Sequence, residues 1–567
     1  MSKTLDISTE RVDDLPLLLA QLDKMQLASL LDKHFPTHGN WRGLSLGQIT
    51  CVWLSHILSE GNHYLVRVQA WAKQLLQTLQ ACLGQSVREL DFSDDRLASV
   101  LDNLAQDGQW QDFELELSRQ LVRVYALEVE RVRIDSTTTY QYGSVTPEGL
   151  FQFGHSKDHR PDLPQVKINL ATLDPLGLPI STSIVRGNRA DDGLYLPEIK
   201  RVQATVERKG VLFVADCKMG ALAVRAYLHK SADFYLLPLS QVQLGAALLD
   251  ELLAPVLSGQ QSTQEIYQSN AAGESILVAK GYEHIRIVSG EVDGAPLSWQ
   301  ERLLVVQSLQ LAQAQTQSLH KRLAQAQEAV AALQPSVPKR GRKRYHDRAE
   351  LQSLAEAILT KWGVQGLVQV AVTETSPTDL QLAVSVDTAA VTQAINRLGW
   401  RVYATNQKAE ILSLEVAVGA YRSEYLIEHN FGRLKGRQLS VQPLQVNRSE
   451  RVVGLLRLLS IGLRVFGLLE YQVREQLSEQ KAQLAGLYDG NPKRSTARPT
   501  SEALLKAFKG INLTSISGIS GTTASQHHIT VLSGLQERIL ALLELPLNLY
   551  SRLTLILDEL PPQMSEP

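Results

Sequence analysis

Cysteine is scarce in this chain: Cys51, Cys82 and Cys217 are the only three in 567 residues, and no C-x-x-C pair exists. Such spacing supports neither a disulfide framework nor a thiolate zinc site, and it suits a reducing cytosol. Net charge is also lacking. The 57 basic and 59 acidic residues leave −2 at pH 7, which taken alone argues mildly against a nucleic-acid partner. There is no long apolar run without a charge in it. The most membrane-like stretch, Val452 to Tyr471, is interrupted by Arg457 and Arg464. A charge at mid-bilayer costs about 2.5–3.5 kcal/mol. The two arginines are seven apart and share a helix face, so the stretch reads as a soluble amphipathic helix with a basic stripe. The start, MSKTLDISTERVDDLP, lacks the basic-then-apolar order of a secretory signal, and a cytoplasmic protein with no membrane partner is expected.

What is present fits a globular protein: 44% apolar and 20% charged residues, in a length suited to several cores. Residues 1–128 carry apolar positions at helical spacing and read as an all-helical region. The texture changes at VERVRIDSTTTYQ (129–141), which is β-rich and alternating. QVKINLATLD (165–174), LPISTSIVRG (178–187), a helix over 194–208 and the apolar strand VLFVAD (211–216) follow. That order predicts a mixed sheet with helices, an α/β fold. ILVAKGYEHIRIVSGEV (276–292) reads as a hairpin. Trp299 to Leu333 contains no Gly or Pro and has heptad-like spacing through Leu319, Leu323, Ala326 and Val330. It reads as one helix of about 52 Å, packed within the chain. PKRGRKRYHDR (338–348) then carries six basic residues and one acid. It suits a solvated linker and phosphate contact equally.

Three carboxylates draw attention. Asp135 interrupts an apolar strand, either as a turn cap at the strand end or for chemistry. Asp216 closes VLFVAD where a strand turns into a helix. Ligands gather at such strand ends, yet Asp is also a favoured helix cap. In YRSEYLIEHNFGRLKGR (421–437), Tyr421, Glu428 and Lys435 are seven apart and form one polar stripe on a helix. Ile427, Phe431 and Leu434 line the adjacent apolar face. Such a stripe suits a metal-binding carboxylate beside DNA, or an ordinary solvated face with Glu–Lys pairing.

Together these residues resemble the acidic triad of ribonuclease-H-like DDE transposases. Tyr421, Glu428 and Lys435 also match the tyrosine–(2)–arginine–(3)–glutamate–(6)–lysine signature of a large group of bacterial insertion-sequence transposases. One position departs from it: Glu424 stands where the arginine belongs, and Arg422 projects from another face. GHSKDHRPDLPQ (154–165), FVADCKMGA (213–221), WRVYATN (400–406) and RPTSEALLKAF (498–508) are similar to one branch of that group, in the same order.

The resemblance implies a ribonuclease-H-like catalytic domain interrupted by a long insertion, with helical N- and C-terminal regions. The corresponding divisions are 1–128, 129–240, 241–399, 400–472 and 473–567. It implies two Mg²⁺ ions (or Mn²⁺) held by Asp135, Asp216 and Glu428, with Asp135 as the bridging ligand. Tyr421 and Lys435 would position phosphates of the transposon end. Arg433, Arg437, Lys157, Arg160, Arg340, Arg342, Lys343 and Arg344 are further candidates for DNA contact. His155, His159 and Asp162 belong to the same candidate loop as Lys157. The implied partners are double-stranded DNA, as transposon ends and target, and a second copy of the chain on paired ends, in a bacterial cytoplasm. An inactive DNA-binding descendant and a nuclease without strand transfer are the alternatives. The charge also divides unevenly: residues 338–348 and 422–464 each sum to +5, leaving −12 for the remainder. These two basic islands are where DNA is expected to lie.

Overall fold

The structure is a computed structural model, and it describes residues 6–269, 273–333, 345–376, 379–446, 448–517 and 525–559. The protein is mixed α/β. It divides into two compact units, one of Met1–Ala215 with Ser423–Pro567 and one of Asp216–Arg422. The breaks follow Ala215 and Arg422.

The first unit opens with a strand, Asp6–Arg11, in a region that reads as wholly helical in the sequence. Its partner is Asn512–Ser517, which also pairs with Gln526–Ile529, so a three-stranded sheet ties the two ends of the chain together. No local pattern reveals this, because the pairing partner lies some 500 residues away. Helices follow from Leu15 to Val124. The helix Leu46–Glu60 starts with a capping box in which the Ser45 side chain accepts from the Gln48 backbone N–H and Gln48 answers. It is buried nearly all round, through Ile49, Val52, Trp53, Leu54 and Ile57.

His56 lies within that apolar helix, its ring 4.7 Å from the Trp71 ring. Neither ring nitrogen has a hydrogen-bond partner. Burial pushes its pKa down to about 4. The folded protein therefore binds this proton less readily than the unfolded chain, whose histidine titrates near 6.5. The associated stability is complete above about pH 6.5 and is lost as the pH falls toward 4. By pH 4.5 the loss should be about 2 kcal/mol. His56→Leu should lose that much less between pH 7 and 4.5 in urea unfolding. An equal loss in both proteins would show that His56 has no such role.

Four further strands build a mixed sheet in this unit, in the order Leu178–Arg186, Gln165–Asp174, Arg131–Tyr140, Leu212–Ala215. The first three run antiparallel to one another in turn, and Leu212–Ala215 runs parallel to Arg131–Tyr140. Every residue of Gln165–Asp174 is buried. Polar side chains on it therefore need internal partners. Asp174 finds one in Arg133, at 2.7 Å.

The helix Ser449–Glu479 passes through the core of the first unit. It is long and apolar enough to cross a membrane, but 94% of its most apolar stretch is buried inside the protein. The expected exposed basic stripe is absent. Arg464 is 0% exposed, with Nη2 2.6 Å from Glu114 Oε1. Arg457 is buried too, donating to the Leu104 carbonyl and pairing with Asp107. Gly454 lets this helix touch Asp94–Leu104. A Cβ there would lie 2.1 Å from the Leu101 carbonyl oxygen.

The second unit contains strands in the order Phe234–Pro238, Trp400–Thr405, Ala295–Ser308, Ser275–Val292, Gln264–Ser269. The segment read as a hairpin is a single strand, Ser275–Val292, whose partner is Ala295–Ser308. The turn between them is Asp293-Gly294, both at positive φ, as a tight hairpin requires. Residues 299–308 are thus strand, and the helix begins only at Leu309, capped by the Ser308 side chain. The helix Leu309–Ala331 buries Leu319, Leu323, Ala326 and Val330 against Ala355, Leu359 and Val368. Its heptad-like face is packed within the chain.

Candidate active site

Asp135 is the fifth residue of Arg131–Tyr140, opposite Leu170. It therefore lies mid-strand, not at a strand-end turn, and its side chain remains 20% exposed. Oδ1 accepts from the Ser136 backbone N–H at 2.7 Å and lies 3.2 Å from Lys157 Nζ. The same ammonium donates to the Ser136 carbonyl at 2.5 Å. Lys157 belongs to the segment between Arg131–Tyr140 and Gln165–Asp174. Its backbone N–H donates to Thr138 Oγ1 at 3.0 Å, and the Thr138 hydroxyl donates to Asp158 Oδ2 at 3.0 Å.

Strand register pairs Ile134 with Ala215, and the next residue in the chain after each is an aspartate. Asp216 takes the capping position anticipated as its alternative role: Oδ1 accepts from the Lys218 N–H at 2.9 Å and starts the turn Cys217–Gly220.

Glu428 lies in the first turn of the helix Tyr425–Lys435 and is exposed. Ile427, Phe431 and Leu434 are buried beneath it. The helix packs on Arg131–Tyr140 and Gln165–Asp174. Asn430 Nδ2 donates to the Gly177 carbonyl at 2.5 Å. Gly177 has φ +66° and sits so close that a Cβ would lie 3.0 Å from the Leu426 carbonyl oxygen. A glycine is needed there on both counts. Lys435 closes the helix, its ammonium 2.5 Å from Asp158 Oδ1.

The three-residue polar stripe does not run along one helix. Leu414–Arg422 ends before a turn at Ser423-Glu424, and Tyr425–Lys435 starts anew. Tyr421 belongs to the second unit, where it is buried with its ring 4.8 Å from that of Tyr403. The broken helix removes the face-sharing argument for Tyr421.

Arg433 was expected at DNA, but its side chain is 4% exposed. Its guanidinium pairs with Glu470, donates to Glu502 Oε1 at 2.8 Å and to Ser501 Oγ at 2.9 Å, and lies 5.2 Å from the Phe466 ring centre. Inward-facing partners thus occupy a charge that the sequence presents as free. Arg437 is exposed. Arg160 pairs with Asp162 at 2.8 Å and lies over the Tyr140 ring. Arg340, Arg342, Lys343 and Arg344 lie outside the described residues.

Two acids that sequence reasoning passed over also belong here. Asp158 lies between residues already singled out in GHSKDHRPDLPQ, and its neighbours' basic character drew the attention. Asp191 accepts from Lys167 Nζ at 2.5 Å, with Ser136 Oγ at 3.4 Å. Burial opposes its charge, but the Lys167 hydrogen bond and the Lys157 charge together hold its pKa below the usual carboxylate range.

Among the described residues, no group of three or more His, Cys, Asp or Glu side chains is gathered to hold a metal ion. At Asp135 itself the donors suit a hard cation. A carboxylate oxygen and the Ser136 carbonyl already share one positive charge, the Lys157 ammonium, and both are oxygen ligands of the kind Mg²⁺ takes.

Comparison with known proteins gives three findings. Residues 7–115 match the model of a domain of unknown function, DUF4277. No curated protein sequence matches the chain. Among solved structures, a piggyBac transposase in a synaptic complex with hairpin DNA is similar over 99% of this chain and 90% of that one, at 8% identity and a TM-score of 0.35.

Proposed function

We propose that the protein is an insertion-sequence DNA transposase with a ribonuclease-H-like catalytic domain, cleaving element ends and joining them to target DNA. The observation that supports this most is the parallel pairing of Arg131–Tyr140 with Leu212–Ala215. Ile134 and Ala215 are partners in that pairing, and Asp135 and Asp216 follow them in sequence. The helix carrying Glu428 packs on the same sheet. Asp135, Asp216 and Glu428 supply the carboxylates for two Mg²⁺ (or Mn²⁺) ions. When bound, such ions supply Lewis-acid activation for in-line attack of water or a 3′-hydroxyl on phosphorus.

The remaining roles belong to the chain's own cations. Lys435 sits at the end of the Glu428 helix and binds a phosphate of the element end as a point charge. Lys157, Arg160 and Arg437 add backbone contacts that fix register without reading bases. The basic stretch with Arg340, Arg342, Lys343 and Arg344 completes the DNA-facing set. A second copy of the chain binds the paired end. The protein acts in a bacterial cytoplasm.

The DNA on either side of the reading frame tests this reading. Short terminal inverted repeats, bordered by duplicated target sequence, are expected there. Flanks without inverted repeats, in every genomic copy sequenced, would remove the insertion-sequence assignment.

A further inference from the structure

We propose that the dipeptide Lys157-Asp158 is a built-in mimic of metal and substrate, which holds the site neutralised until a divalent ion and a DNA phosphate replace it. The inference rests on the reading of Asp135 as a metal ligand and Lys435 as a phosphate binder. Two adjacent residues supply opposite charges to those two groups. The Lys157 ammonium lies 3.2 Å from Asp135 Oδ1, and Asp158 Oδ1 lies 2.5 Å from the Lys435 ammonium. One head is a cation where a metal would bind, and the other is an anion where a phosphate oxygen would bind.

The backbone of this dipeptide is anchored independently of those charged heads. The Lys157 N–H donates to Thr138 Oγ1, and the Asp158 N–H donates to Ser156 Oγ at 3.2 Å. The Arg160 N–H donates to the same serine oxygen at 3.1 Å. The charged ends can therefore exchange partners while the loop stays in place. Lysine suits this role, since its four-carbon stem is flexible and its charge is compact. Both ion pairs are partly exposed, with Lys157 at 29% and Lys435 at 18%. Neither pair is sealed from solvent, so a competing ion can reach both.

The consequence is coupling. A metal ion arriving at Asp135 releases Lys157, which adds a cation beside the incoming DNA. A phosphate arriving at Lys435 releases Asp158, which keeps the Thr138 hydroxyl as a partner at 3.0 Å. Metal and DNA each remove part of the barrier that the other meets, which is positive linkage between two ligands.

The test is titration of the full chain with Mn²⁺ alone, following free Mn²⁺ by electron paramagnetic resonance. Lys157→Met should bind about five-fold more tightly than wild type, the scale set by losing one partly exposed competing charge. Lys157→Arg should stay near wild type, and Asp135→Asn should lose the site. Lys157→Gln serves as the second variant if the methionine protein does not fold, and the same tightening is expected. Unchanged or weaker binding in the folded Lys157 variants, with the site lost in Asp135→Asn, overturns the mimic and leaves the metal reading standing. Wild-type binding by Asp135→Asn removes the metal reading, and the mimic with it. The second head is tested by fluorescence anisotropy of a labelled duplex without metal. Asp158→Asn should bind about five-fold more tightly than the charge-matched control Asp94→Asn. Equal affinity in the two overturns that half.

Discussion

Arg433→Met is expected to destabilise the protein by about 3 kcal/mol while leaving its affinity for a short DNA duplex unchanged. Glu470 and Glu502 both face the Arg433 guanidinium. Removing a buried charge leaves its partners uncompensated, and breaking such a pair costs about 3–5 kcal/mol. The lower end applies because Glu470 retains Arg474 at 2.9 Å, and Glu502 is 29% exposed. Burial opposes the charge of Glu502, yet Arg433 holds its pKa below the usual carboxylate range. Urea unfolding gives the stability, and duplex titration at two salt concentrations gives the affinity. A phosphate contact would behave in the opposite way, with unchanged stability and a salt slope reduced by about one. That result would return Arg433 to the DNA-facing set.

The two basic islands illustrate what composition reads well and what it does not. Counting charges along 422–464 finds eight basic and three acidic residues, correctly. It does not find the acids that neutralise them. Arg451 pairs with Asp102, Arg457 with Asp107, Arg464 with Glu114, Arg433 with Glu470 and Glu502, and Lys435 with Asp158. Most of these partners lie hundreds of residues away, where no sequence window reaches them. An arginine on an apolar helix looks like a solvent-facing stripe until its buried partner is seen.

Local chemistry was far more legible. The strand within 129–141, the apolar strand before Asp216, the capping role of Asp216 and the apolar face beneath Glu428 all follow from spacing and residue type. The failures have a common cause. Residues 303–306 are apolar on both faces, and 299–308 are free of Gly and Pro, so helix and strand patterns fit the stretch equally. The hairpin partner of Ser275–Val292 decides for strand. Likewise, heptad arithmetic over 421–435 presumes an unbroken helix, and the turn at Ser423-Glu424 breaks it. Asp158 was missed because its role depends on Thr138 and Lys435, which only the folded sheet and helix bring to it.

The second large effect is on chemistry. Asp135→Asn, Asp216→Asn and Glu428→Gln should each lower Mg²⁺-dependent DNA cleavage by about a thousand-fold, the upper end of what losing one electrostatic stabiliser of developing charge costs. These exchanges keep side-chain volume while removing the negative charge that a hard cation needs. All three residues are at least partly exposed, unlike Arg433, so stability should change less than in Arg433→Met. The most direct measurement is single-turnover cleavage of a duplex carrying the element's terminal repeat, with full-length wild type and the three variants side by side in Mg²⁺. The account predicts cutting at the repeat boundary by wild type, transfer of the freed 3′ end to a second duplex, and near-complete loss of both in every variant. Cleavage by any folded variant at the wild-type rate would contradict the assigned carboxylates, and no Mg²⁺-dependent cleavage by wild type would contradict the proposed activity.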